Sequence, residues 1–200
     1  MTRIIAGSAG GRLLAVPAGL ATRPTSDRAR EGLFATATAI RGTLAGAMVL
    51  DLFAGSGAVG LEASSRGAAD VLLVESDRRA ARVIRENIAA LGIPGARVVT
   101  GKVDRVLALG PGDQARRDFV FADPPYAAGP AELERMLGAL VGHGWLAAGA
   151  LIAVERATRA GPLSWPDGYV PDRSRRYGAA TLWYGLAAGA EPAAPAPTGG

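Results

Sequence analysis

Two hundred residues, 49% hydrophobic and 20% charged, suffice for one well-packed domain and are too few for two ordinary ones. Cysteine is absent and His143 is the only histidine, which excludes a disulfide framework, a thiolate nucleophile and a multi-histidine metal site. The net charge of +4 equals the excess in residues 1–45, where Arg3, Arg12, Arg23, Arg28, Arg30 and Arg41 face only Asp27 and Glu31, so a polyanionic partner is expected.

The chain opens with Arg3-Ile4-Ile5 and Arg12-Leu13-Leu14-Ala15-Val16 on either side of a glycine-rich turn, a pattern that predicts a small β-hairpin extension over residues 1–24. The apolar run after Arg3 is too short for a secretory signal, and a cytoplasmic protein is expected. Thr25 or Ser26 then caps a helix over 27–40, with Ala29, Leu33, Phe34 and Ala37 on its apolar face. From Met48 onward, short apolar runs suited to buried parallel strands (48–54, 71–75, 97–100, 119–122, 150–155) alternate with segments of helical periodicity (58–66, 78–91, 103–109, 131–141). This order predicts an α/β fold, a doubly wound sheet with helices on both faces. The most apolar stretch, 139–154, is broken by His143 and glycines and is shorter than the ~20 residues a membrane span needs, so no membrane partner is expected. Residues 173–177 and 181–186 read as a closing pair, with an antiparallel strand at the edge of a seven-stranded sheet. The main domain thus runs over 25–187, and residues 188–200, nearly all Ala, Pro and Gly, are expected to be disordered.

Chemistry gathers at the predicted strand ends. Asp51-Leu52-Phe53-Ala54-Gly55-Ser56-Gly57 turns from the first parallel strand into its helix, and Gly55, Gly57 and Gly60 satisfy G-x-G-x-x-G, the spacing of a turn that lets a ligand approach the backbone. A carboxylate at Asp51 would repel a pyrophosphate and favour a cationic or zwitterionic ligand such as S-adenosylmethionine, whereas Glu75, ending the next strand, suits a ribose diol. Ser76 belongs to the same rim, and Asp77 is placed to cap the following helix. Asp123-Pro124-Pro125-Tyr126 ends the fourth strand. Its two prolines hold the Asp123 carboxylate and the Pro124 carbonyl outward as paired acceptors for an exocyclic amino group, with Tyr126 as a stacking platform. The arginines ahead of the first parallel strand flank the expected cleft, so Arg12, Arg23, Arg28 and Arg30, with Thr25 among them, are candidate contacts for the phosphates of a polyanion, which the resemblance given below implies is RNA. His143 has no evident partner and reads as structural.

The segment Arg23-Pro24-Thr25-Ser26-Asp27-Arg28-Ala29-Arg30-Glu31-Gly32-Leu33-Phe34, together with Gly11-Arg12, Pro17, Asp51 to Gly57, Val74-Glu75 and Asp123 to Tyr126, resembles the RsmD-type 16S rRNA guanine-N2 methyltransferases. That resemblance covers nearly all of the chain before the tail. It implies a class I, Rossmann-like methyltransferase fold, S-adenosyl-L-methionine bound by Asp51, Phe53, Ala54, Gly55, Ser56, Gly57, Glu75 and Ser76, and catalysis at Asp123, Pro124, Pro125 and Tyr126. It also implies methylation of a guanine amino group in 16S rRNA. No large target-recognition domain is visible, which favours a small-subunit particle as substrate and a monomeric enzyme. One departure is Gly101-Lys102-Val103-Asp104, where such enzymes often place an acceptor for the adenine amino group. Lys102 cannot accept a hydrogen bond, so that contact falls to the backbone near Val103 or to Asp104. A DNA amino-methyltransferase and a noncatalytic RNA-binding assembly factor stay open as alternatives.

Overall fold

The computed structural model describes residues 2–17 and 26–189. Residues 190–200 of the tail expected over 188–200, and the segment holding Arg23 and Thr25, lie outside the described residues. A short antiparallel hairpin, β1 (Thr2–Arg3) with β2 (Leu13–Leu14), precedes α1 (Asp27–Arg41), β3 (Met48–Leu52), α2 (Ala58–Ser65) and β4 (Asp70–Glu75). α3 (Arg78–Leu91), β5 (Ala96–Thr100), α4 (Val103–Ala108), β6 (Arg117–Ala122) and α5 (Pro130–Gly142) continue the alternation. β7 (Leu146–Ala157), a single 3-10 turn (Thr158–Ala160), β8 (Tyr169–Tyr177) and β9 (Ala180–Ala187) close it.

Seven strands form one sheet in the order β5-β4-β3-β6-β7-β9-β8, and the first five run parallel. The antiparallel pairing expected at this edge is made by β9, which inserts between β7 and the outermost strand β8. The chain begins at β3, works outward through β4 and β5, then returns to β6 on the other side. The strand order therefore reverses between β3 and β6, and ligands of such sheets bind outside the carboxyl ends of the strands at that point.

Alternation along the strands divides the core. Leu50, Leu52, Leu72, Val74, Val120 and Ile152 pack beneath α4 and α5, while Val49, Val71, Leu73, Phe119 and Phe121 pack beneath the helices of the opposite face. Caps set the helix limits. Ser26, rather than Thr25, accepts from Ala29 N at the start of α1, Asp77 accepts from Arg79 N and Ala80 N at the start of α3, and Gly92 ends α3 in the left-handed region.

The N-terminal hairpin is fastened to the body. Fully buried Glu62 on α2 accepts from Ile5 N (2.6 Å) and Ala6 N (2.9 Å), Ser65 accepts from Ala9 N, and Asn87 on α3 exchanges two hydrogen bonds with the backbone of Ala15. Ile4, Ala9 and Leu14 fill an apolar cluster with Leu61 and Leu91. Gly7 makes this closeness possible. Its φ is +85°, and a Cβ there would sit 1.9 Å from the Ser65 carbonyl oxygen. Gly7→Ala is therefore expected to cost about 2–4 kcal/mol of stability. Urea midpoints check this, and an unchanged midpoint would show that the hairpin docks by another route.

Candidate active site

The β3–α2 turn is held open by backbone geometry and by two carboxylates. Phe53 adopts φ 60°, the only positive value at a non-glycine position among the described residues, and Gly55 and Gly57 follow at 58° and 79°. Such strain persists only where surrounding structure enforces it, here the hydrogen bond from Ala54 N to the Val74 carbonyl and packing of the Phe53 ring on the core. Glu75 receives Gly55 N at 2.8 Å on one oxygen, and Asp77 N at 2.7 Å and the Ser76 hydroxyl at 3.5 Å on the other. A carboxylate has about four acceptor positions, so one remains free, on the oxygen that Gly55 N meets. Asp51 is 1% exposed and accepts from Gly60 N at 2.8 Å. Burial pushes its carboxyl up to about 7, against the pull of that one N–H and with a smaller push from Glu75. Gly60 is required here: a Cβ would lie 2.8 Å from a methyl carbon of Leu73 and 3.0 Å from Asp51 Oδ2.

Across the switch point, the Asp123 amide donates to the Leu52 carbonyl (3.4 Å), tying the Asp-Pro-Pro-Tyr segment to the end of β3. Pro124 is buried, and its carbonyl accepts no hydrogen bond from the described residues. Tyr126 stands 66% exposed. It forms one wall of a cavity of about 440 Å³ whose other walls are Ala157, Thr158, Arg159, Arg176 and Ala179. The Asp123 carboxyl is held well above the ordinary carboxylate range by burial first, then by Glu155 and Asp51. Glu155, buried near the end of β7, escaped the sequence reading because an apolar run ending in Glu looks like a strand reaching solvent. The pairing of Ala122 with Val154 places it at the level of Asp123. The carboxyl ends of β4, β3, β6 and β7 thus bring Glu75, Asp51, Asp123 and Glu155 to one end of the sheet.

The remaining candidates divide. Ser76 is exposed on the rim. The Val103 side chain is buried in the core, which leaves only its backbone at the uncapped start of α4 to meet a ligand. Arg28 is exposed on the first turn of α1 and makes no ion pair among the described residues, Glu31 included. Arg30 corrects the reading: it is 0% exposed and donates to Asp27 Oδ1 (2.9 Å) and the Arg3 carbonyl, so it holds the hairpin and cannot meet a phosphate. Arg12 is exposed, and its guanidinium donates to the Leu91 carbonyl (2.7 Å) and to that of Ala90, neutralising the negative end of α3.

Ribosomal RNA small subunit methyltransferase D of Escherichia coli K12 is 41% identical over 167 residues, 82% of this chain and 80% of that protein. The protein of the same name from Haemophilus influenzae is 34% identical over 84% of each chain. The solved structure of Escherichia coli yhhF superposes with a TM-score of 0.81 at 39% identity, covering 94% of this chain and 98% of that one. A family model described as Conserved hypothetical protein 95 matches residues 2–185, so the chain belongs to that family, the RsmD type that its motifs resemble.

Proposed function

We propose that this protein transfers a methyl group from S-adenosyl-L-methionine to the exocyclic N2 amino group of a guanine in 16S rRNA, acting on a small-subunit particle in the cytoplasm. The observation that carries this reading is the rigid pair of acceptors at Asp123 and Pro124, set beside the glycine turn with an exposed tyrosine next to them. The names of the Escherichia coli and Haemophilus influenzae relatives support rRNA methylation, and paired acceptors suit an amino group that has two N–H donors.

The donor set fits the cofactor. Asp51 is a buried carboxyl that accepts one N–H and whose proton affinity burial raises to about 7; an ammonium or sulfonium beside it would favour the ionised form. Glu75 keeps acceptor capacity for a ribose, and nothing lies within 4 Å of a Cβ built on Gly55, leaving room for close approach. Bound S-adenosylmethionine supplies an electrophilic methyl carbon, so the chain's own task is placement. Asp123 and the Pro124 carbonyl accept the two N–H groups and turn the nitrogen lone pair out of conjugation with the ring. Tyr126 stacks on the base, a contact of about 1–3 kcal/mol. As nitrogen gains the methyl group it must lose a proton. Asp123 is positioned to take it, and its raised proton affinity favours that transfer.

Acceptance requires the ionised carboxyl, so activity is expected to fall as pH drops through a value well above the ordinary carboxylate range. Glu155→Gln removes the neighbouring carboxylate that raises Asp123, and is expected to move this acid limb to lower pH. A pH–rate profile identical to wild type would show that Asp123 is not the titrating group. The function itself is tested by transferring labelled methyl groups to unmethylated small-subunit particles, naked rRNA and duplex DNA, followed by nucleoside analysis. N2-methylguanosine, most abundant in particles, is the expected product. Label in DNA alone would make the protein a DNA amino-methyltransferase, and no label in any substrate would favour a noncatalytic assembly factor.

A further inference from the structure

Resting on the RNA reading above, we propose that the β8 edge of the sheet is the backbone clamp for the RNA strand carrying the target base, with Arg159, Arg175 and Arg176 as phosphate ligands. Residues 156–177 hold five arginines against two aspartates. This local excess lies far along the chain from the N-terminal arginines, of which Arg30 is buried and exposed Arg12 donates to the carbonyls that end α3.

Strand register sets the position. Ala157 pairs with Ala180, and Ala180 with Tyr177, so the β8–β9 turn lies at the same end of the sheet as Asp123. Arg159 on the turn after β7 and Arg176 near the end of β8 approach the cavity beside Tyr126 from two elements. Arg176 uses its Nε on the Gly178 carbonyl (3.1 Å), and no described residue takes a hydrogen bond from its two terminal nitrogens. Arg159 and Arg175 have no hydrogen-bond or ion-pair partner among the described residues, in contrast to Arg173, which pairs with Asp172, and Arg156, which braces the loop carbonyls of Gly161 and Pro162.

A second cavity of about 460 Å³ continues from Arg176 along the groove between β8 and α1, lined by Arg175, Thr36 and Gly32 among others. Tyr177 packs so closely over Gly32 that a Cβ there would meet its hydroxyl oxygen at 2.0 Å, which joins the amino-terminal half of α1, with exposed Arg28, to this end of β8. The result is a basic groove leading away from the pocket wall where a flipped base would stack, and a strand whose base is extruded must pass its flanking phosphates along such a rim. Charge on an edge strand also deters sheet-to-sheet pairing. That role does not account for Arg159, which is off the strand and lines the same cavity.

The test compares the full chain with Arg159→Ala/Arg176→Ala, Arg175→Ala and the corresponding lysine variants. Binding to unmethylated small-subunit particles is measured across about 50–200 mM salt, and cofactor binding by thermal shift with S-adenosylhomocysteine. The double alanine variant is expected to lower the slope of log K against log salt by about 1.5 and Arg175→Ala by about 0.7. Lysine variants should retain the slope, and the cofactor shift should match wild type throughout. Alanine variants that fold normally and keep the wild-type slope would overturn the proposal and leave edge protection as the role of these arginines. Lysine variants that lose as much of the salt slope as alanine would also overturn it, because a phosphate contact keeps its charge through that exchange. A wild-type protein that binds no particles would instead overturn the functional reading on which the clamp rests.

Discussion

Asp123→Ala is expected to lower kcat by about 10²–10⁴ while S-adenosylmethionine still binds. The range is what a positioned acid-base group contributes, and the separation of binding from turnover follows from placement. Asp123 sits at the end of β6 with its amide on Leu52, whereas the cofactor candidates lie on the β3–α2 turn and at the end of β4. Asp123→Asn distinguishes orientation from proton transfer. An amide oxygen still accepts one N–H but has little affinity for a proton, so the asparagine variant should exceed the alanine variant yet lose the acid limb of the pH profile. Single-turnover methylation with saturating cofactor is the appropriate measurement. Equal activity of wild type and alanine variant would remove Asp123 from the chemistry.

Asp51 carries the second large effect. Its folded value is raised to about 7 from an ordinary 3.8. Between those limits the unfolded chain has lost the proton and the folded chain has kept it, so the Asp51 contribution to stability declines as pH rises from about 4 to about 7 and then levels. A cationic ligand binds the ionised form. Cofactor affinity is therefore expected to climb by up to tenfold per pH unit below about 7 and to flatten above it, with proton release that calorimetry in buffers of different ionisation enthalpy detects. Asp51→Asn should bind weakly and without this pH dependence. A wild-type affinity that is flat from pH 5 to about 8 would place the cofactor's positive groups elsewhere.

Much of this site was legible because its signals are local. Proline and glycine dictate backbone shape within a few residues, so Asp123 to Tyr126 and Asp51 to Gly57 declare themselves in the chain, and the alternation of period-2 and period-3.6 segments orders the parallel strands. The arginines were not legible. Arg12 and Arg30 share composition and neighbourhood with Arg28, but they bond to carbonyls 78 residues away in one case and 27 in the other, and of the three only Arg30 is buried. Glu155 was missed for a related reason: burial at a strand end depends on what the neighbouring strands bring, here Asp123 on β6 and Leu182 on β9. The length of β7 also exceeded expectation. Pairing of Arg117 with Leu146 begins the strand before the break at Arg117/Phe119, a tertiary register that no propensity encodes.

The fastening of the hairpin bears on how such a protein can be re-engineered or diversify. Glu62 is a buried charge whose donors are Ile5 N, Ala6 N and Arg66. Trimming the first residues would strip two of them, leave Arg66 as the remaining partner, and expose the apolar floor around Leu61. The extension is thus no detachable cassette. A graft of a different arm onto this catalytic body would have to bring matching residues at positions 62, 65 and 87, so the arm and the α2–α3 surface are constrained to change together.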